Sequence, residues 1–197
     1  MPAYAKPLDY GTGLQYYSWE AGPVHYISVN SFYIDYLPSS TLTKWVVADI
    51  ASIDYDKTPW VVVSLHAPWY NSNSAHQLEG EPARDGLEQI FIKAGVSAIF
   101  SGHVHAYERS NPVDAYKVVP AGPGSIVHFN IGDAGAGLYT TWEALPAWSA
   151  FRNATWGHGR WVVLNATHSE WTWHQNSQPT TQAQDSYVLI NANPRVW

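Results

Sequence analysis

The sequence predicts an α/β sandwich, with mixed sheets flanked by helices, and three observations carry that prediction. Trp60 to Leu65 (WVVVSL) is an unbroken, mostly β-branched run of the kind found in strands covered on both faces. Segments with helical spacing stand on either side of it and lead into a second such run, giving a strand–helix–strand order. The last third of the chain turns instead to shorter alternating segments, which predict an antiparallel sheet.

Taken in order, the first twenty residues are rich in Gly, Tyr and Pro and read as loop. Val24 to Val29 (VHYISV) alternates as a strand does, and Leu37 to Ser40 brings a turn. From Thr41 onward, Leu42, Trp45, Val46, Ile50 and Ile53 fall on one face of a helix. Pro59 ends the connection before the run at Trp60. A loop dense in Pro, Asn, Ser and Gly spans His66 to Glu81. Pro82 then opens a helix with Leu87, Ile90, Phe91 and Ala94 on one face, and Gly95 stops it. Val96 to Phe100 (VSAIF) is the second buried strand. Ser125 to Ile131, Arg160 to Asn165, Glu170 to Gln175 and Asp185 to Ile190 read as strands of a second, antiparallel sheet packed on the first. No repeat or domain boundary interrupts residues 1–197, which are expected to form one partial domain.

Composition removes several function classes. The 197 residues are 46% hydrophobic and 13% charged, as in globular chains. No apolar run approaches the ~20 residues of a membrane-spanning helix, so no membrane association is expected. A net charge of −6 without a Lys/Arg cluster argues against a nucleic-acid partner. With no cysteine, thiolate metal sites and cysteine nucleophiles are excluded. Full protonation of the nine histidines would carry the charge from −6 to +3 below about pH 6. Asn153-Ala154-Thr155 and Asn165-Ala166-Thr167 are N-glycosylation acceptor patterns, at Asn153 and Asn165, that suit a secreted protein.

Chemistry is concentrated where the buried strands end. Gly102-His103-Val104-His105 follows Val96–Phe100, and histidines at i and i+2 on an extended segment project to one side. Neutral imidazoles are common ligands of zinc and iron. His66 ends the neighbouring run, so adjacent parallel strands would bring three imidazoles to one sheet edge, where open α/β sheets hold their ligands. Gly102 is read as allowing the backbone to turn close beside a metal. His25, His128, His158, His168 and His174 read as core or surface histidines, and Trp171 with Trp173 as a core face.

The longer strings are more specific. Leu65-His66-Ala67-Pro68-Trp69-Tyr70-Asn71-Ser72 and Ser101-Gly102-His103-Val104-His105-Ala106-Tyr107-Glu108-Arg109 closely resemble the late motifs of purple acid phosphatases, members of the metallophosphoesterase superfamily. Gly22–Ser28, Pro146–Arg152 and Gly157–Arg160 agree with that resemblance, which spans almost the whole chain. It implies a partial metallophosphoesterase sandwich lacking the N-terminal part of the domain. It also implies a dinuclear centre of Fe(III) beside Zn, Mn or Fe(II), with His66 and His103 as ligands of the divalent metal and His105 of the ferric ion. His76 resembles the histidine that contacts the phosphate and protonates the leaving alcohol; Ala75 stands where plant members often carry a second histidine. Glu79 reads either as an acceptor for His76 or as a solvated loop carboxylate. The substrate implied is a phosphate monoester, hydrolysed by a metal-activated water, and the location implied is extracellular or vacuolar.

The family's GDxG, GDxxY and GNHE-like motifs, which supply the carboxylates, tyrosine and asparagine, do not precede His66. Gly132-Asp133-Ala134-Gly135 matches GDxG only as text, because it follows the histidine string, and Asp133 reads as structural. Three imidazoles offer no negative charge to two closely spaced cations. This chain alone is therefore expected to bind at most one metal, weakly, and to lack useful phosphatase activity. Two alternatives stand beside this reading. One is a mononuclear site with His66, His103 and His105 around zinc, and the other is a non-catalytic paralogue of the same fold.

Overall fold

The computed structural model describes residues 15–33 and 35–196. Strands β1 (Tyr16–Ala21) and β2 (Val24–Val29) form a hairpin. Helix α1 (Thr41–Ser52) leads to β3 (Trp60–Ser64), and α2 (Glu81–Ala94) leads to β4 (Val96–Ser101). There follow β5 (Tyr107–Ser110), a two-residue ribbon of β6 (Val113–Asp114) with β7 (Lys117–Val118), then β8 (Val127–Ile131) and β9 (Ser149–Asn153). The chain ends with β10 (Gly157–Val163), β11 (His168–Gln175), β12 (Asp185–Ile190) and a short 3-10 turn at Pro194–Val196.

A seven-stranded mixed sheet runs in the order β1-β2-β3-β4-β8-β5-β9, with β2, β3, β4 and β8 parallel. A three-stranded antiparallel sheet, β10-β11-β12, covers one of its faces. Alternation along β3 explains the layering. Val61 and Val63 face α1 and α2 and pack with Leu42, Val46, Leu87 and Phe91. Trp60 and Val62 face the other way and pack with Trp171, Trp173 and Leu189 of the small sheet. Burying each such apolar side chain contributes roughly 1.5–3 kcal/mol, which accounts for the uninterrupted apolar run. Ser40 caps α1, its hydroxyl accepting the Thr43 N–H at 3.1 Å. Gly95 ends α2 in the left-handed region at φ 79°.

Three expectations change. Tyr16–Ala21, expected as loop, pairs along its whole length with β2 and buries Tyr16; Met1 to Leu14 lie outside the described residues. The segment ending at Ile131 belongs to the large sheet beside β4, not to the small one. Strands β5 and β9 were not foreseen, because Tyr107-Glu108-Arg109-Ser110 has no apolar alternation; its side chains are buried by polar pairing instead.

Candidate metal centre

The parallel strands β2, β3 and β4 all end at one rim, and the loops that leave them carry the candidate site. Ser31, just beyond β2, accepts the backbone N–H groups of His66 and Ala67 at 2.7 and 2.8 Å. The His66 carbonyl in turn accepts the Gly102 N–H at 3.0 Å. Backbone bonds thus tie the three strand ends together and set His66 beside the Gly102–His105 loop.

Gly102 is not the glycine this loop requires. A Cβ there would make only ordinary contact with the His66 ring, whereas a Cβ at Gly132 would overlap the Val104 carbonyl. The glycine that permits close approach therefore comes from the strand beyond, and this explains the Gly132-Asp133 string. Asp133 itself is buried and accepts the Trp173 indole N–H at 2.8 Å.

At the rim, His103 Nδ1 and His66 Nε2 face each other at 3.0 Å. His103 Nε2 lies 2.8 Å from Glu79 Oε2, and the other oxygen of Glu79 lies 2.9 Å from His76 Nδ1. The rings of His76 and His103 approach to 3.9 Å between centroids. Among the described residues, His76, Glu79 and His103 are the one group of three potential ligands whose donor atoms all lie within 4.8 Å of one another. His105 stands to the side. Its Nδ1 faces the Gly137 carbonyl at 2.7 Å and its ring stacks on Tyr139 at 4.7 Å. An N–H donated to a backbone carbonyl leaves Nε2 as the free donor atom, which is the usual arrangement of a ligating histidine.

Charge at this rim is shared. Burial, then the positive charges that His103, His105 and His76 would carry, hold the His66 imidazole below its usual range. Glu79 is held below the usual carboxylate range by its bonds to His76 and His103. His76 and His103 both adopt left-handed backbone at φ 55°, and Leu78 does so at 67°. Such strain in non-glycine residues gathers at sites where geometry has a use. An open groove of about 550 Å³ leads to His66 between Tyr17, Ser28, Asn30 and Ser64.

The predicted imidazoles therefore converge, but not as a bare triad. His66 and His103 meet directly, His76 joins them through Glu79, and His105 is oriented separately by Tyr139 and Gly137. These residues fit the imidazole part of a metal centre, and the one carboxylate within the group, Glu79, is engaged with His76 and His103. Sequence reasoning missed three participants: Ser31, Tyr139, whose hydroxyl lies 3.3 Å from His76 Nε2, and Phe32, whose ring meets those of His66 and His103 edge-on. Ser31 and Phe32 were findable, because they follow β2 as His66 follows β3. Tyr139 lies in a long irregular loop and leaves no pattern.

Two family models match the chain: the calcineurin-like phosphoesterase model over residues 10–107, and the model of iron/zinc purple acid phosphatase-like protein C over residues 125–186. Purple acid phosphatase 18 of Arabidopsis thaliana is 45% identical over 177 residues, covering 88% of this chain and 40% of that protein. Purple acid phosphatase 1 of Ipomoea batatas is 36% identical over 193 residues, covering 92% and 40%. The solved structure of a purple acid phosphatase from yellow lupin (Lupinus luteus) seeds shares the fold with a TM-score of 0.79 at 23% identity, over 88% of this chain and 32% of that one. The chain spans about 40% of the length of the curated relatives it matches.

Proposed function

Since this chain belongs to the purple acid phosphatases of the calcineurin-like phosphoesterase family, we propose that it is the later part of a single catalytic domain that hydrolyses phosphate monoesters. The observation that carries the reading is the meeting of His66, His103 and His76 at one rim of the parallel sheet, with His105 presented beside them. His66, His103 and His105 are read as metal ligands, and the metals as a ferric ion beside zinc, manganese or ferrous iron. When bound, such a pair supplies Lewis acidity toward the phosphoryl oxygens and ionises water near neutral pH.

The chain's own residues then have distinct tasks. Gly137 and Tyr139 hold the His105 ring, through Nδ1 and through stacking, and leave Nε2 as the atom to ligate. Phe32 walls the side of His66 and His103. His76 hands a proton to the departing alcohol, and Glu79 orients the ring through its contact with Nδ1. The carboxylates for a two-metal site belong to motifs that do not precede His66, so the 197-residue chain alone is read as inactive. Delivery to an extracellular or vacuolar compartment, with glycans on Asn153 and Asn165, is part of the same reading. Both asparagines already accept hydrogen bonds from the threonine of their acceptor pattern.

Phosphate release from p-nitrophenyl phosphate and from an alkyl phosphate tests this. The isolated chain is expected to give background rates with either. A domain completed with the upstream motifs is expected to turn over both, and His76→Ala to slow the alkyl ester about 100-fold or more and the nitrophenyl ester far less. Turnover by the isolated chain would refute the division of labour, and a completed domain without activity would refute the phosphatase reading.

A further inference from the structure

We propose that this chain carries its own cation site, distinct from the set His66, His103 and His105: one divalent ion, zinc by its donor chemistry, held by His76, Glu79 and His103. Three observations converge on it. Donor atoms of the three side chains already lie within 4.8 Å of one another. Glu79 presents one oxygen to each imidazole, at 2.9 and 2.8 Å, so the ion would replace existing polar contacts without the group having to assemble. The two histidines, and Leu78 between His76 and Glu79, all hold left-handed backbone, so the loops are already bent into the conformation that brings the donors together.

Charge decides between this set and the three imidazoles. His66, His103 and His105 are all neutral when they ligate, so that set brings no negative charge to the ion. The Glu79 set includes a carboxylate, with one oxygen already placed at each of its two imidazoles. Two imidazoles and a carboxylate leave room for a water or a phosphoryl oxygen on the ion, the open arrangement common for zinc with nitrogen and oxygen donors. Tyr139, in contact with His76, and His66, in contact with His103, stand at the sides of the group. The two sets share His103, so an ion in one excludes the other. Occupation of the Glu79 set would also withdraw His76 from proton donation.

Zinc titration of the 197-residue chain by calorimetry, checked by competition with a chromophoric chelator, tests the proposal without any measure of turnover. One ion per chain is expected. Glu79→Gln and His76→Ala should each weaken binding about tenfold or more, and His105→Ala by less than threefold. His158→Ala serves as control for casual binding to surface histidines and should change nothing. A loss on Glu79→Gln greater than that on His105→Ala upholds the site. The reverse order, equal losses, or no zinc binding at all overturns it, and none of these outcomes touches the reading of a completed phosphatase domain.

Discussion

Two adjacent quartets, Gly102–His105 and Ala106–Arg109, belong to one sequence string and live in opposite physical worlds. The first is a strained loop at the rim: His103 holds φ 55°, and its hydrogen-bonding partners are other site residues. The second is buried and fully paired. Glu108 accepts the Ser72 N–H at 2.9 Å and the hydroxyls of Ser72 and Ser149 at 2.5 and 2.6 Å. Arg109 meets Asp185 of the small sheet through two bonds, at 2.8 and 2.9 Å, while Tyr107 donates to the same carboxylate at 2.6 Å and accepts the Trp171 indole N–H at 2.8 Å. A recognisable motif is thus half chemistry and half fastening. The fastening holds the two sheets together beneath the site.

The sharpest way to break this contrast is to remove the fastening. Asp185→Ala leaves the Arg109 guanidinium buried without its partner and strands the Tyr107 hydroxyl. Breaking one side of a buried pair costs about 3–5 kcal/mol, and a fall of that size in urea-unfolding stability is expected. A loss below about 1 kcal/mol would mean that water reaches Arg109 and that the sheets are joined by apolar packing alone.

How much could be read without coordinates follows the same division. The strands β2, β3 and β4 and both helices were legible because their burial is apolar and leaves a period in the sequence. Strand β5 was not, because Glu108 and Arg109 are buried by partners 36 to 76 positions away, and polar pairing over that distance has no local signature. At the site, the histidines were legible as residue types at strand ends. The bridging of His76 and His103 by Glu79 was not, since it depends on how two loops cross. The Gly132-Asp133 string reads in the sequence as structural, and the close approach of Gly132 to Val104 that accounts for the glycine needed coordinates.

A second prediction contrasts imidazoles at the rim with one beneath it. His128, in β8, lies among Trp69 and Tyr70 with its Nε2 unpartnered, and burial, helped by the charge of Arg84, pushes it down to about 3. Unfolded, it titrates near 6.5. Between those values the unfolded chain binds the extra proton, so stability rises with pH across that window and is lost as pH falls through it. At pH 4.5 this one residue costs about 3 kcal/mol relative to pH 7. His128→Phe removes the titration. The gap between wild type and variant, from urea midpoints at pH 7 and 4.5, should shift by that amount in favour of the variant. Parallel pH profiles would show that protonated His128 finds solvent in the folded state.

The smallest effect expected is also the one that tests most directly whether the rim is separable from the fold. His103 is the hub of the imidazole cluster, yet its backbone sits in the left-handed region, which costs a residue with a β-carbon roughly 1–2 kcal/mol. Asparagine tolerates that conformation better than most side chains. The imidazole bonds that His103→Asn removes, chiefly the one to Glu79, are partly open to solvent and are worth about 1 kcal/mol or less. The two contributions nearly cancel, so the variant should unfold within about 1 kcal/mol of wild type while no longer binding zinc. A destabilisation approaching that of Asp185→Ala would instead mean that the histidine loop helps to hold β3 and β4 together. Its strain would then be part of the fold's own balance, not a tension held for the metal.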